Sequence, residues 1–105
     1  MQQDSQPVFR ALADPTRRAI IKMLAERPRT IGEVASAFDV TRPAIAKHLK
    51  ILEEGDVVRV VAKGRERINS LNPDALKRAA DWLLAYDRFW DEKLAKLKSE
   101  VEKSR

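Results

Sequence analysis

The stretch Thr30-Ile-Gly-Glu-Val-Ala-Ser-Ala-Phe-Asp-Val40, running straight into Thr41-Arg-Pro-Ala-Ile-Ala-Lys-His-Leu-Lys-Ile-Leu-Glu-Glu-Gly55, decides the fold. Thr30 and Glu33 form a capping box, in which the hydroxyl accepts from the third helical N–H and the carboxylate reaches back to the cap N–H. The short helix that follows turns Ile31, Val34, Ala35 and Phe38 to a core and ends at Asp39-Val40. Thr41 caps a second helix with Arg42 and Pro43 in its first turn, which continues to Glu54 and leaves Gly55 in the position just past its end. Two helices joined this closely must cross at a steep angle, so residues 30–54 are a candidate helix-turn-helix.

At 100° per residue the second helix gathers Ile45, Leu49 and Leu52 on one side, with His48 at its edge, and Pro43, Ala46, Lys47 and Lys50 on the other. The inner face packs and the outer face is basic. A helix of this width fits the DNA major groove, with Lys47 in reach of guanine O6 or N7 and Pro43 and Ala46 set to meet thymine methyls. Arg42, in the first turn, lies near base edges or phosphates. A solvated face is the commoner reason for lysines on a helix, but the capped helix before it and the hairpin after it shift the balance to DNA.

Downstream, residues 57–62 and 65–71 are rich in β-branched side chains and flank Lys63-Gly64, which predicts a hairpin over 57–71, the only strand signal in the chain. Lys63, Arg65 and Arg67 concentrate charge at its tip, as a wing that contacts phosphates or the minor groove would. Protection of an edge strand explains the same charges equally well. Residues 41–67 hold seven Lys or Arg against four Asp or Glu, whereas 74–105 hold eight against seven, so the positive excess sits where DNA binding needs it.

Upstream, a short helix starts after Ser5 with Val8, Phe9 and Leu12 on one face. Asp14-Pro15 caps and opens the next helix, which runs to about Glu26 with Ile20, Ile21, Met23 and Leu24 in a stripe, Arg17, Arg18 and Lys22 mainly off it, and Pro28 beyond its end. At the other terminus Asn72-Pro73 starts a helix that nothing interrupts before Ser104. A helix of about 30 residues is about 45 Å long, more than so small a domain covers. Leu83, Tyr86, Trp90, Leu94, Leu97 and Val101 recur along it in steps close to a coiled-coil seam, with Trp82 and Phe89 beside them. Packing on its own domain accounts for Leu76, Ala80 and at most Leu83, and cannot reach Leu97. The stripe therefore predicts a homodimer joined through this helix and the first one, with Val8, Phe9, Leu12, Leu83, Tyr86, Phe89, Trp90, Leu94 and Leu97 at the interface.

The 105 residues form one domain, with 21 Lys or Arg against 16 Asp or Glu and a formal charge of +5 that favours a polyanionic partner. With no cysteine and one histidine, thiol chemistry is excluded and neither a metal site nor an enzyme is expected. Glu53-Glu54 and Asp91-Glu92 diverge on their helices and read as solvated surface. No cofactor is expected. No apolar run approaches a membrane span, and Met1-Gln-Gln-Asp-Ser lacks the pattern of a signal peptide, which places the chain in the cytoplasm. The fold class is mainly α with a small β-hairpin, a winged helix-turn-helix with a long C-terminal dimerisation helix over 73–104.

Phe9-Arg-Ala-Leu-Ala-Asp-Pro-Thr-Arg-Arg18, Thr41-Arg-Pro-Ala-Ile-Ala-Lys-His-Leu-Lys-Ile-Leu-Glu-Glu-Gly55 and Lys63-Gly-Arg-Glu-Arg67 together resemble the ArsR-type winged helix-turn-helix transcriptional regulators, over nearly the whole chain. The resemblance implies a dimeric repressor on an inverted-repeat operator, its own promoter among the candidates. It implies Arg42, Pro43, Ala44 and Lys47 at base edges, and Thr41, His48 and the wing residues near the backbone. Lys50 shares the outer face. The founding metal sensors of that family carry a Cys-x-Cys pair at the third helix, where Thr30 and Gly32 stand here, and a second site of Asp and His on the terminal helix, which has no His here. The tail from Ala80 through Trp82-Leu83 to Phe89-Trp90-Asp-Glu-Lys-Leu94 resembles a metal-independent branch whose genes often neighbour a START-like small-molecule-binding protein. A metal-responsive repressor of the same fold, or a dimeric interaction module without DNA binding, are the alternatives, and the residues name no inducer.

Overall fold

The computed structural model describes residues 6–103, so residues 1–5 and Ser104, the expected end of the last helix, lie outside the described residues. The order is α1 (Gln6–Leu12), α2 (Pro15–Glu26), β1 (Arg29–Thr30), α3 (Ile31–Ser36), α4 (Arg42–Glu54), β2 (Val58–Lys63), β3 (Glu66–Leu71) and α5 (Pro73–Lys103). Local chemistry starts three of the helices. Asp14 caps α2 by accepting from Arg17 N at 3.0 Å. In the capping box of α3, Thr30 Oγ1 accepts from Glu33 N at 3.2 Å and Glu33 Oε1 from Thr30 N at 3.1 Å. Thr41 Oγ1 accepts from Ala44 N at 3.3 Å to open α4. Each cap satisfies a donor that the first helical turn leaves unpaired.

One core collects Ile20 and Leu24 of α2, Val34 of α3, Ile45, Leu49 and Leu52 of α4, and Val57 and Val58 at the start of the hairpin. The first helix of the pair is shorter than expected. α3 ends at Ser36, short of Asp39-Val40, because Ser36 Oγ donates back to Glu33 O at 2.9 Å and the next two N–H groups bond three residues back, which tightens the last turn. Phe38 is still half-buried against the core.

The sheet has three antiparallel strands in the order β1-β3-β2, one more than the hairpin expected. β1 pairs Arg29 with Asn69 and Thr30 with Ile68, and buried Asn69 donates from Nδ2 to Arg29 O at 3.2 Å. In the hairpin Lys63 faces Glu66, so the turn is Gly64-Arg65 and not Lys63-Gly64, with the positive φ of 63° falling on Gly64 where it costs little.

Gly55 does not adopt the left-handed conformation expected of a residue just past a helix. Its φ is −81°, and Asp56 takes the positive φ of 60° instead. What Gly55 supplies is room, since a Cβ there would lie 2.7 Å from Pro7 O and 3.2 Å from Pro7 C. α1 thus rests on the end of α4, with Ala11 fully buried and Val8 only 7% exposed. Val8 is a core residue of its own chain, which corrects its expected place in a dimer interface. Buried Asn72 then ties the turn after α4 to the start of α5. Its Nδ2 donates to Asp56 O at 2.8 Å and Asp56 Oδ2 at 3.1 Å, its N to Val57 O at 2.7 Å, and its Oδ1 accepts from Asp74 N at 3.3 Å.

α5 packs on the domain through Ala75 and Ala79, both buried, and half-buried Leu76. Ala80 and Leu83, expected to share that packing, are exposed, as is every described residue from Asp81 onward. No described helix is long and apolar enough to cross a membrane.

Gly55→Ala should overpack the α1–α4 contact and destabilise the protein by about 1–3 kcal/mol, a fall in Tm of several degrees or more. Gly32→Ala, whose added Cβ would meet only Thr30 Oγ1 at 3.9 Å, should leave Tm level or slightly raised. Thermal denaturation followed by circular dichroism checks both, and equal Tm values for the two variants would refute the close-approach account of Gly55.

Candidate nucleic-acid interface

Burial of Ile45, Leu49 and Leu52 turns the opposite face of α4 outward, and Thr41, Arg42, Pro43, Ala46, Lys47 and Lys50 are all exposed. Ala44 is half-buried, at the edge of that face. No acidic side chain stands in the first turn of α4, and Arg42 adds a cation at the positive end of the helix dipole. That arrangement is unfavourable in isolation and suits an anion lying across the helix start.

The hairpin stands beside α4. A groove of about 240 Å³ runs between them, lined by Ala46, Leu49, Lys50 and the acidic Glu53 from α4, by Ile31 of α3, and by Val60, Arg67 and Asn69 from the strands. The pairing of Ala62 with Arg67, and of Lys63 with Glu66, separates the basic residues that sequence placed together at one tip. Arg67 shares the α4-facing side of the sheet with Val60 and Asn69. Lys63 projects from the other side opposite an acidic neighbour, and exposed Arg65 occupies the turn itself. Arg59, a further cation on the strand, lies 3.9 Å from Asp56.

His48, expected near the DNA backbone, faces inward instead. Its side chain is 22% exposed, and Nδ1 lies 3.2 Å from Arg17 Nη1 and 3.8 Å from Asp14 Oδ2. A guanidinium only donates, so Nδ1 is the acceptor in this contact. Arg17 also donates from Nε to Ala11 O at 3.0 Å and from Nη2 to Arg10 O at 2.8 Å, and Arg18 Nη1 donates to Leu12 O at 2.7 Å. The two arginines therefore satisfy the last carbonyls of α1. Reading Arg17 and Arg18 only as residues off the apolar stripe missed this. Their place just after the Asp14 cap, facing the end of a short helix, was the available signal.

The expected interface residues divide. Phe9 and Leu12 are half-buried against their own core, while Leu83, Tyr86, Phe89, Trp90, Leu94 and Leu97 are exposed, Trp90 by 54%. Phe9 meets Trp82 edge-on with ring centroids 5.1 Å apart, Trp82 stacks on Tyr86 at 4.5 Å, and Tyr86 continues to Phe89 at 5.9 Å. Among the described residues no cluster of three or more His, Asp or Glu could hold a metal ion.

Residues 12–61 match a family model described as a helix-turn-helix domain. The transcriptional repressor SdpR of Bacillus subtilis is 37% identical over 79 residues, covering 75% of this chain and 88% of that protein. The solved structure of an ArsR-like transcriptional regulator from Rhodococcus sp. RHA1 superposes with a TM-score of 0.78 at 34% identity, covering 90% of each chain. The chain belongs to the ArsR family of transcriptional regulators. Its fold is the winged helix-turn-helix, in which α3 and α4 are the helix pair and β2–β3 the wing hairpin. A more distant member of the fold, the homodimeric winged helix-turn-helix DNA-binding domain Mb0332 of Mycobacterium bovis, superposes with a TM-score of 0.66 at 22% identity.

Two carboxylates that hold this frame are poised on the acid side. The backbone bond from Arg17 holds Asp14 below its ordinary value of 3.8, aided by the charge of Arg17 against an opposing effect of desolvation. The backbone bond from Thr30, then the side-chain bond from Arg27 at 3.0 Å, do the same for Glu33 below 4.5. A lowered folded value means that each contribution is complete above the ordinary value and is lost as pH falls through the folded one. Asp14→Asn, which keeps a competent cap but removes the charge, should therefore lower Tm at pH 7 and converge on the parent protein as pH falls below the ordinary value of 3.8 and through the folded one. A Tm gap that stays constant from pH 7 to pH 2.5 would show that the charge contributes nothing.

Proposed function

We propose that this ArsR-family chain is a homodimeric, sequence-specific DNA-binding repressor that acts on an inverted-repeat operator, its own promoter among the candidates, and has no catalytic activity. The observation that carries the reading is the outward face of α4, where Arg42, Pro43, Ala46, Lys47 and Lys50 are exposed while the opposite stripe is buried. Arg42, Pro43, Ala44 and Lys47 read base edges. Thr41, Lys50, Lys63, Arg65 and Arg67 hold phosphates, with Arg67 nearest the recognition helix across the groove. Phosphate contacts supply most of the affinity and base contacts the selectivity. Such a regulator works where the DNA is, in the cytoplasm.

A second copy is supported by the continuity of one helix face. Ala75, Leu76 and Ala79 pack on the domain, and Leu83, Tyr86, Trp90, Leu94 and Leu97 extend the same side of α5 beyond it, exposed. Monomeric proteins rarely leave so long an apolar stripe in water. Phe9 extends the patch through Trp82. The M. bovis domain of the same fold is described as homodimeric. Two-fold symmetry would set two α4 helices in successive major grooves, about 34 Å apart, on a pseudo-palindrome.

Fluorescence anisotropy on the DNA upstream of the chain's own gene, against a scrambled duplex, across a salt series and with a chelator present, tests the reading. Tight, chelator-insensitive preference for the upstream duplex is expected of an autoregulating repressor. Lys47→Ala should cost about 1–3 kcal/mol on the preferred duplex and relax its selectivity, whereas Arg65→Ala should weaken both duplexes alike and flatten the salt slope by about one. Equal losses from both variants on every duplex would defeat this division of roles. Trp90→Glu should convert the dimer to monomer in sedimentation equilibrium and abolish tight binding to the full palindrome, and a Trp90→Glu protein that stays dimeric would remove α5 from the interface.

A further inference from the structure

We infer that Arg17 is a positioning residue for base readout, setting the rotation of the recognition helix through His48 without itself touching DNA. The inference rests on the DNA-binding reading of α4 given above. Arg17 lies in the first turn of α2, where its backbone N–H is fixed by Asp14 Oδ2 at 3.0 Å. Its guanidinium then reaches Ala11 O at 3.0 Å, Arg10 O at 2.8 Å and His48 Nδ1 at 3.2 Å. One planar fork thus joins the end of α1, the start of α2 and the middle of α4. Asp14 Oδ2, at 3.8 Å from Nδ1, is beyond hydrogen-bond range and acts on the pair through its charge.

The third reach is what calls for an arginine. Water or a simple ammonium could satisfy two carbonyls at a helix end, but only a rigid fork spans both and a ring nitrogen on another helix. His48 follows Lys47 directly and stands at the border between the buried stripe of α4 and its basic face. Apolar packing of Ile45, Leu49 and Leu52 chooses the face that α4 buries but resists small rotations weakly, because it is non-directional. Base contacts need a constellation held within roughly 0.5 Å and 10–20°. A directional bond at the edge of the stripe supplies that restraint, and it links α1, whose Phe9 rests on Trp82 of α5, to the helix that would read DNA.

The test uses the full chain in anisotropy on the upstream and scrambled duplexes across a salt series, with Arg17→Gln, His48→Leu, His48→Gln and the double variant Arg17→Gln/His48→Leu. Arg17→Gln should lose about fivefold on the upstream duplex, with little change on the scrambled one and an unchanged salt slope. His48→Leu should match it, His48→Gln, which keeps an acceptor, should stay near the parent, and the double variant should lose no more than either single one. A salt slope reduced by about one in Arg17→Gln would make Arg17 a phosphate contact and overturn the proposal. Additive losses in the double variant would overturn it too, as would equal weakening on both duplexes, since Arg17 would then serve only the α1–α2 junction. Should Arg17→Gln fold poorly, the contrast between His48→Leu and His48→Gln decides alone, and no difference between them refutes the coupling. A parent protein that fails to distinguish the two duplexes would defeat the DNA-binding reading itself, a result separate from any behaviour of the variants.

Discussion

Burial of Ile45, Leu49 and Leu52 chooses which face α4 turns inward, and most of what the molecule presents to solvent follows from that one constraint. With those three side chains inside, the intervening positions Arg42, Pro43, Ala46, Lys47 and Lys50 have no alternative to the outer face. The neighbouring elements are arranged to hold the stripe in place. α3 meets it through Val34, the hairpin root through Val57 and Val58, and α2 through Ile20 and Leu24. The hairpin that begins at this root runs beside the outer face, which brings Arg67 across a narrow groove from Ala46 and Lys50. A basic helix and a basic wing on one side are thus consequences of a single packing decision.

Small residues decide how closely α1 can join that core. Gly55 leaves the Pro7 carbonyl room at the end of α4, and Ala11 fills the same seam from the other side. Ala75 and Ala79 give α5 a flat surface to lie on, and Asn72 anchors its first turn to the Asp56 loop with three side-chain hydrogen bonds. Such a buried amide is stabilising only while all its partners are present, so it specifies one exit direction for α5. That direction carries a helix of about 46 Å away from the domain. Its outer two thirds have no intramolecular surface to cover, although the apolar face continues unbroken.

Elements set by neighbouring residues were legible in the sequence, and those set by distant ones were not. The Thr30–Glu33 capping box, the Asp14 and Thr41 caps and the outward lysines of α4 each depend on residues within four positions. β1 was invisible because two residues become a strand only when β3 lies beside them. The turn frame at Gly64-Arg65 depends on register, which slipped by one from the reading of Lys63-Gly64 and thereby set Lys63 and Arg67 on opposite faces. Gly55 does mark the helix end, but its lack of a side chain matters to Pro7, 48 positions away in the chain. Val8 was assigned to a dimer because its apolar spacing cannot say which surface an amphipathic helix covers. The inward turn of His48 depends on Arg17, 31 residues earlier.

That last contact also bears on how a regulator of this build could be controlled. The apolar stripe of α5 and the basic face of α4 share no direct contact among those described, and α1 lies between them. It touches α5 through Phe9 and Trp82, and its final carbonyls are held by the same guanidinium that bonds His48. α1 is only seven residues long, too short to be stable alone, so its position is borrowed from Gly55, Arg17, Arg18 and Trp82 together. A marginal element held from several sides shifts as a unit when one support changes. Spatial connection by itself is not coupling. What makes this connection a candidate for coupling is that its final link is a directional hydrogen bond to the recognition helix, which geometry can break over a fraction of an ångström, where apolar contact would yield gradually.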